Sequence, residues 1–388
     1  MRRIRSVEAA AANSGHGAPT SAPNPVRNAR QVAGVLLAAG LPVLFAGCSS
    51  SDKPAAPAPQ AATPAPAGPD PASVKANEVG SVPILEFRDI GPGSGNTTVA
   101  DFKKDLQWLY DHNYRPVGLT NFAKGKIDCP AGKMPVVITF DTGLPGQFNL
   151  DSSGSMDASS GIAILESFNR DHEDWPLVGS FLIDATSAKS KTEFGSTQGS
   201  SYKLERVVSD GFDLGCQLPA NAGSMPEDKV RDLLAKSITE LNSASMGTAV
   251  SVIGIPQGSF ANDVTVLQGG TIQISQLAPL GGPAPGQRGE PDKKIKMTTV
   301  QHAETYTSKC AVVSGDKASL SSVAKKFDAY HIPRLLVSSA RSVESAVKTI
   351  KDPFISDGDP ATIAVPTAAS ANVDADKLTA GGVTLKTY

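Results

Sequence analysis

Aromatic residues are scarce in this 388-residue sequence, at 5%, and cysteine occurs only four times. So few cysteines do not frame a disulfide-stapled fold. No CxxC pair or His/Cys cluster supplies the ligand spacing of a structural zinc site. A basic excess is missing too: 36 lysines and arginines face 38 aspartates and glutamates, a formal charge of -2. A polyanion such as nucleic acid finds no footprint to grip, and none is expected as a partner. No internal repeat is visible. Glycine (36) and proline (29) are abundant, which implies many turns and at least one low-complexity segment.

The apolar run VAGVLLAAGLPVLFAG (32–47), preceded by Arg27 and Arg30, is too short and too rich in small residues to span a membrane comfortably. It has the layout of a signal peptide. It ends in LFAGC followed by SSSD, which resembles a bacterial lipoprotein box with Leu44 at its first position. That resemblance implies lipidation at Cys48, export, and a membrane anchor facing the cell-envelope exterior or the periplasm. An ordinary secretory signal with a coincidental Cys48 is the alternative. Residues 1–26 are long for the charged start of such a signal, which points to a true start further downstream; Arg2 and Arg3 alone do not make a twin-arginine signal. After Cys48, SSSDKPAAPAPQAATPAPAGPDPAS reads as an extended Pro/Ala tether that cannot fold alone. Lipidation leaves Cys129, Cys216 and Cys310, enough for one disulfide at most. The expected organisation is a signal at 1–47, a tether at 48–78, a folded domain at 79–350 and a C-terminal extension at 351–388.

From about residue 80, strand-like and helix-like segments alternate, the pattern of βα units around a parallel sheet. VPILEF (82–87), PVVITF (135–140), LVGSFLI (177–183), FDLGCQL (212–218), TAVSVIGIPQG (248–258), TIQISQL (271–277) and a piece of AYHIPRLLVS (329–338) read as strands. A helix capped by Thr97 or Thr98 carries Phe102, Leu106, Leu109 and Tyr110 on one face. GIAILESFNRDH, KLERVVSDG, PEDKVRDLLAKSITELNSAS (226–245) and RSVESAVKTIKD read as further helices. GGPAPGQRGEPDKK (281–294) reads as an exposed loop, and the tail after 353 shows one strand-like piece, ATIAVP. The run VVITFDTG is apolar and β-branched until it ends in an acid, a threonine and a glycine, and in such folds function sits just past the strand end.

Six places together resemble a polysaccharide deacetylase (NodB-homology, carbohydrate esterase family four) domain over roughly 80–340. VPILEFRDI is similar to the family's opening strand, with Phe87 and Arg88 where tyrosine and histidine are usual. FKKDLQWLYDHNYRPVGLTNF is similar to its first helix and the turn after it. ITFDTG stands where the family has threonine, phenylalanine, two aspartates and glycine. GFDLGCQLPAN stands where two histidines four apart are expected. IGIPQGSFANDV and AYHIPRLLV resemble its proline–aromatic–glycine segment and closing strand. The resemblance implies an α/β fold, a distorted or incomplete (β/α)7-8 barrel, acting on N-acetyl glycans with a metal, usually zinc. Carried over, the metal ligands fall on Thr142, Gln217 and Asn221, a neutral hydroxyl and two amides that suit zinc poorly. No cofactor is therefore expected. The family's general base falls on Asp141. The arginine that orients that base falls near Gly254, and the aromatic whose backbone N–H holds the oxyanion falls on Gln257.

The general-acid histidine has no counterpart among His16, His112, His172, His302 and His331, none of which has a partner acid at useful spacing. The expectation is an envelope-anchored, deacetylase-like pseudoenzyme whose groove, lined by Thr142, Gln217, Asn221 and Gln257, binds carbohydrate or a protein partner, with Asp141 a residual base position. In the bland reading, Asp141 caps a turn and the two amides satisfy backbone groups. The alternatives are an active deacetylase or hydrolase with a rearranged site, using Asp141 with Asp151, Asp157 or Asp184, and a solute-binding lipoprotein of two hinged lobes. Glycan sites favour stacking aromatics, and only Phe87, Phe148, Trp175 and Phe260 fall near strand ends; Trp108 reads as core.

Overall fold

The computed structural model describes residues 69–196, 199–245, 247, 250–256, 271–276, 302–307, 310–313, 316–329 and 331–388. Cys48, Gln257, the apolar run at 32–47, the tether up to 68 and the loop 281–294 lie outside them. Among the described residues no helix is long and apolar enough to cross a membrane.

The fold is mixed α/β around a curled parallel sheet. Its strands are β1 Ile84–Phe87, β2 Met134–Thr142, β3 Ser180–Asp184, β4 Asp213–Gln217, β5 Val252–Ile255, β6 Cys310–Val313, β7 Ile332–Pro333 and β8 Leu335–Val337. The spatial order is β7-β6-β5-β4-β3-β2-β1-β8, with the short strand Tyr114–Pro116 pairing the start of β2. β7 and β8 are two halves of one run. Ile332 and Pro333 pair with Val312 and Val313 at one end of the sheet, while Leu335 to Val337 pair with Leu85 to Phe87 at the other. The run 332–337 thus borders both ends, and Arg334 sits at the switch between them.

Alternation along the strands divides the side chains between two faces. Leu85, Phe87, Ile138, Phe140, Phe181, Ile183, Leu214 and Ile253 join the larger apolar cluster with the helices Val99–Asp111, Gly161–Asp171, Ser200–Ser209 and Glu227–Ala244. Ring pairs tie this layer together, Phe140 stacked on Phe181 at 4.7 Å and Phe87 edge-to-face with Phe102 at 5.0 Å. Burying each such ring is worth about 2–3 kcal/mol. The opposite positions, Ile84, Val137, Leu182, Val252, Val312 and Ile332, form a second cluster. Space there is tight: a Cβ at Gly215 would collide with the Leu182 side chain, and one at Gly254 would sit 3.0 Å from Leu182 and 3.1 Å from Gln217.

Local rules explain the helices. Thr98 caps Val99–Asp111 by accepting from the Asp101 N–H, and Ser342 caps Val343–Val347 in the same way. Several elements depart from expectation. TIQISQL forms Thr271–Gln276, which pairs antiparallel with His302–Thr307 rather than joining the parallel sheet. RSVESAVKTIKD yields only the short helix Val343–Val347. The tail contains strands Thr362–Val365 and Thr384–Thr387 in parallel, joined through the helix Ala375–Gly381.

Candidate functional site

β2 is nine residues long, so its inward positions, Val137, Thr139 and Asp141, run from the apolar interior to the C-terminal rim. Asp141 is 2% exposed and meets a guanidinium. Arg334 donates through Nη1 to Asp141 Oδ1 and through Nη2 to Oδ2 at 3.0 Å. Arg334 Nη1 also donates to Thr139 Oγ1 at 3.2 Å, and Nη2 lies 3.3 Å from Glu86 Oε2. The arginine is fully buried, as is Glu86 at 1% exposure. Burial pulls the arginine's pKa down, but the Asp141 and Glu86 charges outweigh it and raise it. The guanidinium is therefore a permanent cation between two acids.

Gln217, at the end of β4, completes the network. Its Nε2 donates to Asp141 Oδ2 at 2.9 Å, and its Oε1 accepts from the Thr142 N–H at 3.2 Å. Thr142 Oγ1 turns back and donates to the Asp141 carbonyl at 2.6 Å. The backbone at Thr142 is left-handed, φ +70°, a conformation that costs a β-branched residue about 1–2 kcal/mol. Gly143 follows at φ +64°, where a Cβ would press on Ile183 at 2.8 Å. Gln147 closes the turn from below, its Nε2 donating to the carbonyls of Arg88 and Asp141. The segment 191–196 covers the turn: the Phe194 N–H donates to the Gly143 carbonyl at 2.8 Å, and its buried ring packs on Phe148 at 5.6 Å.

The structure therefore gathers Asp141, Thr142 and Gln217 into one polar floor. Asn221 is exposed on the loop after β4 and is not among the hydrogen-bond partners of Asp141 or Gln217, and Gln257 is outside the described residues. Zinc does not fit this donor set. Both Asp141 oxygens accept from Arg334, Gln217 has both ends of its amide engaged, and the Thr142 hydroxyl is turned to backbone. Among the described residues no three His, Cys, Asp or Glu side chains are grouped to hold a metal.

The other carboxylates singled out in the sequence serve their own loops. Asp151 accepts from the backbone of Ser153 and Ser155, Asp157 from Ser159, and Asp184 caps the helix Ala185–Ser190 through the Thr186 and Ser187 N–H groups. The Ser153 hydroxyl and the backbone N–H groups of Ser153 and Ser155 hold the Asp151 carboxyl below the usual range, as the Ser159 N–H and hydroxyl do that of Asp157. His112 and His172 end helices, each with Nδ1 on the carbonyl four residues back, at 2.8 and 3.0 Å. Trp175 is buried in the core beside Phe168.

Sequence reasoning missed Arg334 and Glu86. The signal was present: an arginine inside HIPRLLV and a glutamate inside VPILEF each sit in an apolar strand, where a charge needs an opposite charge. It also missed Asp89, a half-buried acid at the end of β1 whose pKa burial raises against hydrogen bonds from the Ile90 and Gly146 N–H groups.

No family model matches the sequence, and no curated protein matches it. Three solved structures are similar in fold. BA0330 from Bacillus anthracis, a proposed polysaccharide deacetylase, is 15% identical over 70% of this chain and 69% of its own, with a TM-score of 0.45. The deacetylase PplD of Streptococcus pyogenes, in complex with acetate, is 11% identical over 70% and 98%, also at 0.45. IcaB from Ammonifex degensii is 14% identical over 69% and 96%, at 0.40. All three scores fall below 0.5, so the site stands on the chain's own geometry.

Proposed function

We propose that this chain is an envelope-anchored, deacetylase-like protein that does not hydrolyse, and that it binds carbohydrate or a protein partner at the C-terminal rim of a distorted seven-stranded barrel. The observation that carries this reading is the occupation of Asp141. An arginine that orients a base leaves one carboxylate oxygen free for water; here the fork of Arg334 and the amide of Gln217 take both. A ligand would meet the rim beside that floor: Arg88 and Asn221, both exposed, and Thr142, half-buried. The run 332–337, bordering both ends of the sheet, supports a closed barrel. One continuous parallel sheet favours this over a two-lobed solute-binding protein, and the capping roles of Asp151, Asp157 and Asp184 leave a displaced carboxylate site without members. Localisation rests on the Cys48 motif.

The test is metal content and turnover of acetylated chito-oligomers by the full mature chain after zinc reconstitution, with Asp141→Ala beside it. Neither stoichiometric zinc nor turnover is expected. One bound zinc, with turnover abolished by Asp141→Ala, would make the protein a deacetylase with a rearranged site.

A further inference from the structure

The end of the sheet opposite the Asp141 floor is closed by segments that the candidate site does not use. The short helix Leu119–Ala123 lies across the N-terminal ends of the strands: Leu119 and Phe122 join the second apolar cluster, and the Thr120 N–H donates to Asp213 Oδ2, at the start of β4, at 3.1 Å. Ser319–Leu320 pairs antiparallel with Ser81–Val82, which leads into β1, so the chain runs down to the same end. There Phe327 packs on Phe122 at 5.6 Å. The first described residues arrive there too. The Gly80 carbonyl accepts from the Ser321 N–H at 3.1 Å, and a Cβ at Gly132, just before β2, would sit 3.7 Å from Val74 of the helix Pro71–Val74. The tether that leads back to Cys48 therefore joins the folded part at this end.

Two kinds of side chain are left uncovered around that junction. Lys75, Lys124, Lys126, Lys325 and Lys326 are exposed, and none of their ammonium groups has an ion-pair or hydrogen-bond partner among the described residues. Lysines on the helix faces differ: Lys236 and Lys348 each hold an acid one turn away, Asp232 and Glu344. Across 69–81, 119–133 and 319–328 six lysines face four acids, of which Glu78 is buried and Asp70 caps Pro71–Val74, whereas the whole chain carries a formal charge of -2. Leu320, Leu385 and Tyr388 are three of the four large apolar side chains exposed among the described residues. Leu320 stands opposite Ser81, and the Tyr388 hydroxyl donates to the Ala76 carbonyl at 2.7 Å, so both flank the junction.

Exposed lysines mixed with exposed aliphatic and aromatic side chains suit the headgroup layer of an anionic bilayer, where cations meet phosphates and apolar groups enter the acyl boundary. We infer that this end of the fold rests on the anionic membrane surface, beside the point where the tether leaves, and that the rim bearing Arg88 and Thr142 faces away from it. The inference rests on the anchoring reading of Cys48 for bringing the chain to a membrane; the surface itself belongs to the folded part.

The test is sedimentation of the mature chain carrying Cys48→Ser, and therefore no lipid, with vesicles of phosphatidylcholine with or without phosphatidylglycerol. Binding should require phosphatidylglycerol and weaken as salt rises. Joint substitution Lys124→Gln, Lys126→Gln, Lys325→Gln and Lys326→Gln should lower it at least about tenfold, while Lys236→Gln with Lys348→Gln should leave it unchanged. All six side chains are exposed, so the fold does not depend on them. No binding, binding independent of phosphatidylglycerol, or equal loss in the two variants would overturn the proposal, as would retention on an acidic polysaccharide such as polygalacturonate without binding to vesicles. A failed anchor is read separately, from phase partition of the lipidated chain, because the chain sedimented here has no lipid.

Discussion

Replacing Asp141 by asparagine separates a structural carboxylate from a catalytic one. Catalytic groups commonly sit at a cost to stability, so their isosteric removal leaves stability unchanged or raised. Asp141 is placed differently, with three hydrogen bonds from Arg334 and Gln217 in a site closed to solvent. Asparagine keeps the shape but turns an NH2 group toward donors and removes one of the two charges that balance the guanidinium. Breaking a buried ion pair by removing one partner costs about 3–5 kcal/mol, and because Glu86 stays beside Arg334 the lower end applies, ~3 kcal/mol. For a folded part of this size each kcal/mol moves the melting temperature by about 2–4 °C, so a fall of about 6–12 °C is expected by calorimetry. A cycle with Arg334→Met should return a coupling of about 1.5–3 kcal/mol, since the second substitution removes the cation that the first leaves under-compensated. An Asp141→Asn protein as stable as wild type, or more so, would refute the structural role and return Asp141 to the list of catalytic groups.

Gly215→Ala should cost about 1–3 kcal/mol in denaturant unfolding because its methyl meets the Leu182 side chain, and Leu182→Val in the same chain should recover part of that loss. Asp105 accepts from the Val343 N–H at 3.1 Å, and burial raises its carboxyl to about 6 from 3.8. Its stabilising contribution is therefore full below about 3.8 and lost as pH rises through 6, so Asp105→Asn should flatten that part of the pH–stability curve by up to ~3 kcal/mol. Gln217→Glu sets a second carboxylate against Asp141, raises one pKa of the pair, and should destabilise by about 3 kcal/mol or more at neutral pH, with the gap to wild type closing as pH falls. Cys48→Ser should move the exported protein from the detergent-rich phase to the aqueous phase of a phase-partition assay; unchanged partition would dismiss the lipid anchor.

Most of the parallel strands were legible because they are short apolar runs between turn signals, as in VVITF and SFLI. The helices Val99–Asp111 and Glu227–Ala244 were legible from a capping residue or leading proline and helical spacing. Strand Cys310–Val313 was not, since CAVV is four residues of a pattern that helices and strands share. The tail was under-read for a related reason: alanine, aspartate and glycine dominate it, and its strand Thr384–Thr387 is exposed throughout, so burial leaves no alternation in the sequence. At the site, Asp141, Thr142 and Gln217 were identifiable from their positions at strand ends. Their hydrogen-bond partners were not, because Arg334 lies 193 residues from Asp141 in the chain and only the curling of the sheet brings the two together.

Asp141 and Thr142 on β2 and Gln217 on β4 make physical sense as a set. A carboxylate at the rim of a narrow, closed interior needs its second oxygen satisfied, and an amide side chain does this without a metal. Gln217 does more, because its two ends face opposite demands: the NH2 group meets an acceptor on Asp141, and the carbonyl meets the donor of the strained Thr142 peptide. Thr142, with its hydroxyl folded onto the Asp141 carbonyl, adds no second negative charge beside the pair. With Arg334 balancing Asp141 and Glu86 from the strand that borders both ends of the sheet, the polar floor is bonded from within. Asp141 thus has a structural role: it ties Arg334, at the switch between β7 and β8, to the end of β2.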